Sequence, residues 1–555
     1  MHSTNHLTRS VHGTMLTAAL AFLVFLHADG IGAKTRQQET DDAAKVVQRK
    51  FKQYKRVHQE ILKIIVEGNA KKAIGLLEEI LRVVPKDGES QYMLAVALAS
   101  DGQDDKAIAA VKRARDLGIP ESRFIGGTKT GLEDLRKLAK FQSLFPTGGA
   151  RLIHGPVLGN NTGKGISIWV RTASASEVQI RVVDPDGISL AAKASARSSL
   201  DTDFTCVIRV EGLTPNSNYA YSVVIDGVEV PETFKLRTLT ASGMPTEFRV
   251  AFGGGAGYVP QNEVMWNTIA DAGPDVLMLL GDNVYSDAPE MPEMQHYCYY
   301  RRQSRPEYRT LTAQVPVYTI WDDHDFGTND CQGGPFVESP PWKVPVWRVF
   351  KNNTVNPGYG GGIMQPGCWY DYYVGDVHFI MTDGRTYRTH NPENDSAPTM
   401  LGPIQKEWLK QTIKNSKGVF TVLVSPVPWV FGAKGNSKDT WNGFKEERGE
   451  IFDIVRNSRN NGVLLMSADR HRSDLWKIKS EGLYPLYEFN SSRLTNQHVH
   501  PEMREAEFSY NSKQSFGIVD FDTKRKDPTV TYSIQNIVGK EIYRRKILRS
   551  EISHN

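Results

Sequence analysis

Four short apolar runs in this chain each end in side chains capable of acid–base or metal chemistry. Val276–Leu280 leads into Gly281-Asp282-Asn283-Val284-Tyr285, and residues 315–321 lead into Asp322-Asp323-His324-Asp325. Residues 377–382 lead into Asp383-Gly384-Arg385, and 462–467 into Ala468-Asp469-Arg470-His471. Unpaired carboxylates delivered to one place repel unless cations stand among them, so bound metal is the reading that removes the conflict. The donors are mostly carboxylate oxygen, with one phenol, one imidazole and no thiolate. That set suits hard cations: calcium, magnesium, manganese or ferric iron. Two such ions about 3.5–4 Å apart can activate a water and clamp both oxygens of an in-line phosphoryl displacement. Positioning and charge neutralisation are most of what that reaction needs.

The runs that carry these groups are aliphatic and bounded by polar residues or glycine, as strands covered on both faces are. Residues 248–253 and 420–424 have the same texture, and helical patterns over 261–272, 404–413 and 446–456 lie between several of the runs. In α/β sheets, sites form outside the carboxyl ends of strands, which is where all four clusters fall. A mixed α/β domain over 246–545 is expected. Ahead of it, residues 150–240 alternate apolar and polar side chains, as in Ile166-Ser167-Ile168-Trp169-Val170-Arg171, between turn signals such as Asp184-Pro185-Asp186-Gly187. That predicts a small antiparallel sandwich, similar to a fibronectin type III domain.

Residues 40–142 contain a repeat. Gly68-Asn69-Ala70-Lys71-Lys72-Ala73-Ile74 and Gly102-Gln103-Asp104-Asp105-Lys106-Ala107-Ile108 share one pattern 34 residues apart. This helix–turn–helix period resembles the tetratricopeptide repeat, with Ala73 and Ala107 as the small residues between helices. Such a segment serves either as a surface for a protein partner or as a brace. Before it, Arg9, an apolar run over 15–26 and Gly30-Ile31-Gly32-Ala33 read as a secretory signal over 1–33. The run is too short for a comfortable membrane span, which predicts a periplasmic or secreted protein with no transmembrane helix in the mature chain. A net charge of +4 in 555 residues, with no basic stripe, argues against nucleic-acid-specific binding. Four cysteines without a CxxC pattern argue against a zinc–thiolate site; a bridge among Cys298, Cys331 and Cys368 is expected, with its pairing open.

Taken in order, Gly281-Asp282-x-x-Tyr285, Trp321-Asp322-Asp323-His324-Asp325 and Ser467-Ala468-Asp469-Arg470-His471 resemble the motifs of the PhoD-like alkaline phosphatases and phosphodiesterases, relatives of purple acid phosphatases. Asp383-Gly384-Arg385-Thr386-Tyr387, Leu401-Gly402-Pro403-x-Gln405-x-x-Trp408-Leu409 and Trp441-x-Gly443-Phe444-x-x-Glu447-Arg448 add to the resemblance. It implies a metallophosphatase sandwich, two β-sheets flanked by helices. It also implies an exported, metal-dependent hydrolase of phosphomonoesters, phosphodiesters or both. By this resemblance Asp282 bridges two metals, Tyr285 and His471 hold a ferric-type ion, and Asp323 and Asp469 hold the second. His324 stands at the phosphate or leaving group, oriented by Asp325. Arg385, Arg448 and Asn283 bind substrate, although the two arginines equally suit structural ion pairs and Tyr285 a packed aromatic.

One departure bears on the metal. Where the family carries a Cys ligand after its first strand, this chain has Gly255, which leaves the choice among calcium, iron and manganese open. It also leaves open a degenerate protein that binds an envelope or protein partner on the same fold. His498 and His500, two residues apart, read as loop residues rather than as a metal pair. The glycine-rich run 253–257 outlines a dinucleotide loop, but Tyr258 occupies the third glycine's place and the acidic clusters go unexplained.

Overall fold

The computed structural model describes residues 54–127, 129–145, 152–184 and 189–554, so the signal read over 1–33 lies outside the described residues. Among these, no helix is long and apolar enough to cross a membrane.

Helices α1 (Tyr54–Val66), α2 (Ala70–Val83), α3 (Gly88–Ser100) and α4 (Asp104–Asp116) make two helix pairs offset by 34 residues. Gly68 and Gly102 turn the chain inside each pair at positive φ, where the lack of a Cβ removes the steric cost. Ala73 and Ala107 are fully buried at the helix contacts. Asp87 caps α3 by accepting from the Ser90 N–H at 3.3 Å, and it also accepts from the Tyr54 hydroxyl at 2.7 Å. The apolar cluster of these helices runs on into Tyr258, Val284, Met294, Tyr297 and Tyr299 of the α/β domain. A buried pair, Arg123 and Glu89 at 2.7 Å, reinforces the junction, because Tyr297 donates to the same carboxylate at 2.7 Å. These are the contacts of a brace.

Two antiparallel sheets follow. One orders β1 (Leu152–Gly159), β2 (Gly165–Thr172) and β5 (Thr205–Glu211); the other orders β4 (Leu190–Arg197), β3 (Glu177–Val183), β6 (Asn218–Ile225) and β7 (Val228–Glu229), with β8 (Phe234–Arg237) also on β6. Their inward side chains, such as Ile168, Ile180 and Tyr221, close one core.

The α/β domain is also built on two sheets. In the first, β9 (Glu247–Gly253), β10 (Val276–Leu280) and β11 (Val317–Ile320) run parallel, and β19 (Ser515–Asp522), β20 (Thr529–Asn536) and β21 (Glu541–Leu548) extend it antiparallel. In the second, β13 (Val377–Met381), β14 (Phe420–Val424), β15 (Val463–Ser467) and β17 (Leu483–Ser491) run parallel, flanked by antiparallel β12 (Tyr370–Val374), β16 (Ser473–Ser480) and β18 (Phe508–Tyr510). Every residue of β10, β13, β14 and β15 is buried, as their unbroken apolar sequences require. Phe248 and Phe521 of the first sheet meet Phe379 of the second in one aromatic cluster, and a single core joins the two sheets. The carboxyl ends of β10, β11 and β15 thereby open toward one pocket. All four cysteines are free thiols, which corrects the expectation of a bridge.

Candidate metal centre

Crowding shapes the acidic loops. After β10, Gly281 at φ +103° passes so close to Asp322 that an added Cβ would lie 2.5 Å from the Asp322 Cβ, so only glycine fits. Asp282, Asp287, Asp469 and His471 all have positive φ, a conformation that costs energy without glycine and gathers at functional sites. The pocket of about 320 Å³ onto which these loops converge is lined by Asp282, Tyr285, Asp323, His324, Asp469 and His471. One oxygen of Asp282, one of Asp323 and Nδ1 of His471 are buried with no hydrogen-bond partner among the described residues. Ligand atoms of Asp282, Asp323 and His324 lie within 4.8 Å of one another.

An unpartnered buried carboxylate oxygen is costly unless something positive meets it. Burial, aided by the Asp323 and Asp325 charges and opposed by His324, pushes the Asp282 carboxyl well above the usual range. Burial works the same way on Asp323, but Arg385 and His324 outweigh it and hold that carboxyl below its ordinary value. The donor set therefore fits hard or borderline cations. Tyr285 donates to Asp282 Oδ2 at 2.8 Å and accepts from Asn496 at 2.7 Å, so the phenol oxygen is placed beside the carboxylate.

Burial disfavours the charged form of His324, but the charges of Asp282, Asp323 and Asp287 outweigh it and raise its pKa to about 9. Its Nδ1 sits 2.5 Å from Asp287 Oδ1. Asp325, expected to orient it, does not. That carboxylate turns back under β10 and accepts from the N–H groups of Val284 at 2.8 Å and Asp322 at 3.1 Å. Adjacent residues on a helical turn point in divergent directions, so Asp325 cannot share its neighbour's face, and Asp287 takes the orienting place.

The substrate-binding expectations for Arg385, Arg448 and Asn283 are also corrected by placement. Arg385 is fully buried behind the acids, its Nε on Asp322 and its Nη1 on Asp439 at 2.5 Å each. Arg448 stacks on Phe431 and Phe452 away from the pocket. Asn283 donates into the strand end, to the Ile320 carbonyl and Asp325. The outlying motifs are structural clips: Asp383 accepts from the Cys368, Arg385 and Thr386 N–H groups, Gln405 bonds Asp383's backbone, and Glu447 accepts from Thr399 and Met400.

Sequence reasoning missed the pocket's cations. On α1, Tyr54 and His58 face Asp87, while Lys55 and Gln59, four apart and so on one side, face the α/β domain. Lys55 Nζ lies 3.2 Å from the Tyr285 ring centroid. Burial and neighbouring Arg56 push its pKa down to about 7. Arg56 pairs with Asp287 at 3.0 Å, and Lys434 bridges Asp330 and Asp439 at 2.8 and 2.7 Å. Nothing in their sequence neighbourhoods marks these residues. Gly255 does lie at the site, where an added Cβ would stand 3.3 Å from His471 Nδ1.

Residues 353–533 match a family model described as PhoD-like phosphatase, and 149–238 match one described as a domain of unknown function, DUF7800. Alkaline phosphatase D of Bacillus subtilis (strain 168) is 23% identical over 332 residues, which is 52% of this chain and 56% of that protein. The chain thus spans little more than half the length of that relative. A solved structure of PhoD superposes with a TM-score of 0.58 at 16% identity, over 71% of this chain and 91% of the other. A purple acid phosphatase from yellow lupin (Lupinus luteus) seeds gives 0.51 at 11% identity, over 72% and 75%. At these identities the two structures speak for the fold, the two-sheet sandwich described above. With ordered motifs at the ends of that fold's strands, residues 353–533 carry the match to the PhoD-like phosphatase model, and the chain is similar to that family over its second sheet.

Proposed function

We propose that the chain hydrolyses phosphate esters, mono- or diesters, at metal ions held between Asp282, Tyr285, Asp323, Asp469 and His471. The observation that carries this reading is the set of buried, partnerless ligand atoms on Asp282, Asp323 and His471 around one pocket. When bound, such ions lower the pKa of water and offset charge on a phosphoryl group. The chain's own residues do the rest. Asp287 fixes His324 through Nδ1, leaving Nε2 to give a proton or hydrogen bond to a departing oxygen. Arg385 offsets the acids from behind without leaving the core. The N-terminal apolar run supports a location outside the cytoplasm, which the size of the mature chain in cell fractions checks. Purified protein is expected to cleave nitrophenyl phosphate or bis-nitrophenyl phosphate and to lose that activity in excess chelator. Full turnover with metal stripped to background would sink the proposal.

Lys55, which lines the pocket where Arg385 and Arg448 do not, offers a phosphate an amine that is charged below its pKa of about 7. Arg56, Lys434 and Arg470 are each occupied by a carboxylate, whereas Lys55 stands over the Tyr285 ring. A charge-assisted hydrogen bond contributes about 1.5–3 kcal/mol, so Lys55→Met is expected to weaken inhibition by orthophosphate about 10- to 100-fold, with Lys55→Arg retaining part of it. An unchanged inhibition constant in Lys55→Met would assign the amine to packing alone.

A further inference from the structure

His498 and His500 do not lie idle in a loop. Both line the pocket with His471. Their Nε2 atoms stand 3.2 Å apart, and the His471 ring lies 5.0 Å from that of His498 and 5.7 Å from that of His500, centroid to centroid. The segment that presents them is pinned at several points. Asn496 N–H donates to the Gly255 carbonyl at 3.1 Å, Asn496 Oδ1 accepts from the His498 N–H at 3.2 Å, and Asn511 holds the His500 carbonyl at 2.9 Å. The same Asn496 donates to the Tyr285 phenol, so one side chain sets both the phenol and the histidine pair.

Three imidazoles meeting at one end of an acidic pocket do not stabilise one another. Lys55 and Arg470 stand near them as cations, with Asp469 as the opposing charge. Hydrogen bonding between His498 and His500 satisfies one nitrogen on each, and it leaves His471 Nδ1, on a side chain only 7% exposed, with no partner among the described residues. That nitrogen faces the spot at Gly255 where the resemblance expects a thiolate. The chain has thus lost a sulfur donor beside His471 and gained two nitrogen donors in the same pocket.

We propose that His498 and His500 complete the ligand set of the metal held by His471, in place of the absent thiolate, and that this position takes an imidazole-bound divalent ion of the zinc or ferrous class. Imidazole suits zinc and iron. The inference rests on the phosphoesterase reading only in requiring that metal binds at all.

The test uses the full chain, stripped by chelator and titrated with cobalt(II) and zinc(II), with bound metal counted by dialysis and elemental analysis. Wild type is expected to bind two ions, as two-metal phosphoesterases do. His498→Gln/His500→Gln should bind one of them about 10- to 100-fold more weakly, with the cobalt d–d spectrum of that site altered. Circular dichroism of the metal-free variant establishes that it folds. X-ray absorption on zinc-loaded wild type needs no variant, and it should show three imidazoles on one of the two ions, an average of about 1.5 per zinc when both sites are filled. Two ions bound with unchanged affinities in the double variant, or a single imidazole in the absorption spectrum, would overturn the ligand assignment while leaving the hydrolase reading intact. Absence of any bound metal in wild type would overturn both.

Discussion

Asp323→Ala is expected to purify with its metal content reduced and to turn over phosphate esters at least about 10³-fold more slowly, since loss of metal charge at a phosphoryl transition state removes several kcal/mol of stabilisation. Asp323 has one oxygen committed, accepting the Asp330 N–H at 2.6 Å, and the other buried without a hydrogen bond, 3.8 Å from the nearest Arg385 nitrogen. The neighbouring Asp322 carboxylate cannot replace that oxygen, because it is turned onto Arg385. Asp323 is one of the charges that drives the Asp282 carboxyl upward, but Arg385 and His324 hold Asp323 itself below its ordinary value, so its charge stabilises the fold on balance; the metal-free variant should melt below metal-free wild type, and the gap should widen between the metal-loaded proteins. Elemental analysis, steady-state rates and thermal melts with and without chelator read all three quantities. Unchanged metal content in Asp323→Ala would remove this residue from the ligand set.

His324→Ala should behave differently. With Nδ1 held by Asp287 and the ring 4.4 Å from that of Tyr285, the imidazole has a fixed direction and one nitrogen to offer. Its removal is expected to leave metal content intact and to lower kcat by about 10²–10⁴-fold, the range for a positioned proton donor. The penalty should grow with the basicity of the leaving group: small for nitrophenolate, which departs unaided, and large for an alkoxide. A uniform loss across leaving groups would deny the proton-donor role. Metal loss equal to that of Asp323→Ala would make His324 a ligand instead.

Much of this was legible because chemistry-bearing residues follow strands that are buried on both faces. Val276–Leu280 and Phe420–Val424 stand where their apolar runs place them, and 462–467 differs from β15 by one residue. Strands after Asp469 were harder to read, since β19, β20 and β21 mix polar and aromatic residues and owe their place to pairing, β19 on β9, β20 on β19 and β21 on β20. Errors at the site share a cause. Asp325 adjoins His324 and Arg385 follows a strand end, but adjacency in sequence is not adjacency in space, and nothing in the sequence singles out Asp287 or Lys55. His498 and His500 left one usable trace, a period of two next to no apolar partner, but only the chain's return past Gly255 gives that trace a meaning.

The brace has a thermodynamic consequence. Lys55 reaches the pocket only while α1 stays seated on the α/β domain, so whatever occupies the pocket and touches that amine must also tighten the seam between the two parts of the chain. Inorganic phosphate in solution should then slow amide exchange along α1, and agents that loosen the seam should weaken phosphate retention by the same factor. Regulation of such a protein would need no second ligand site, only a change in how firmly its first helix is seated.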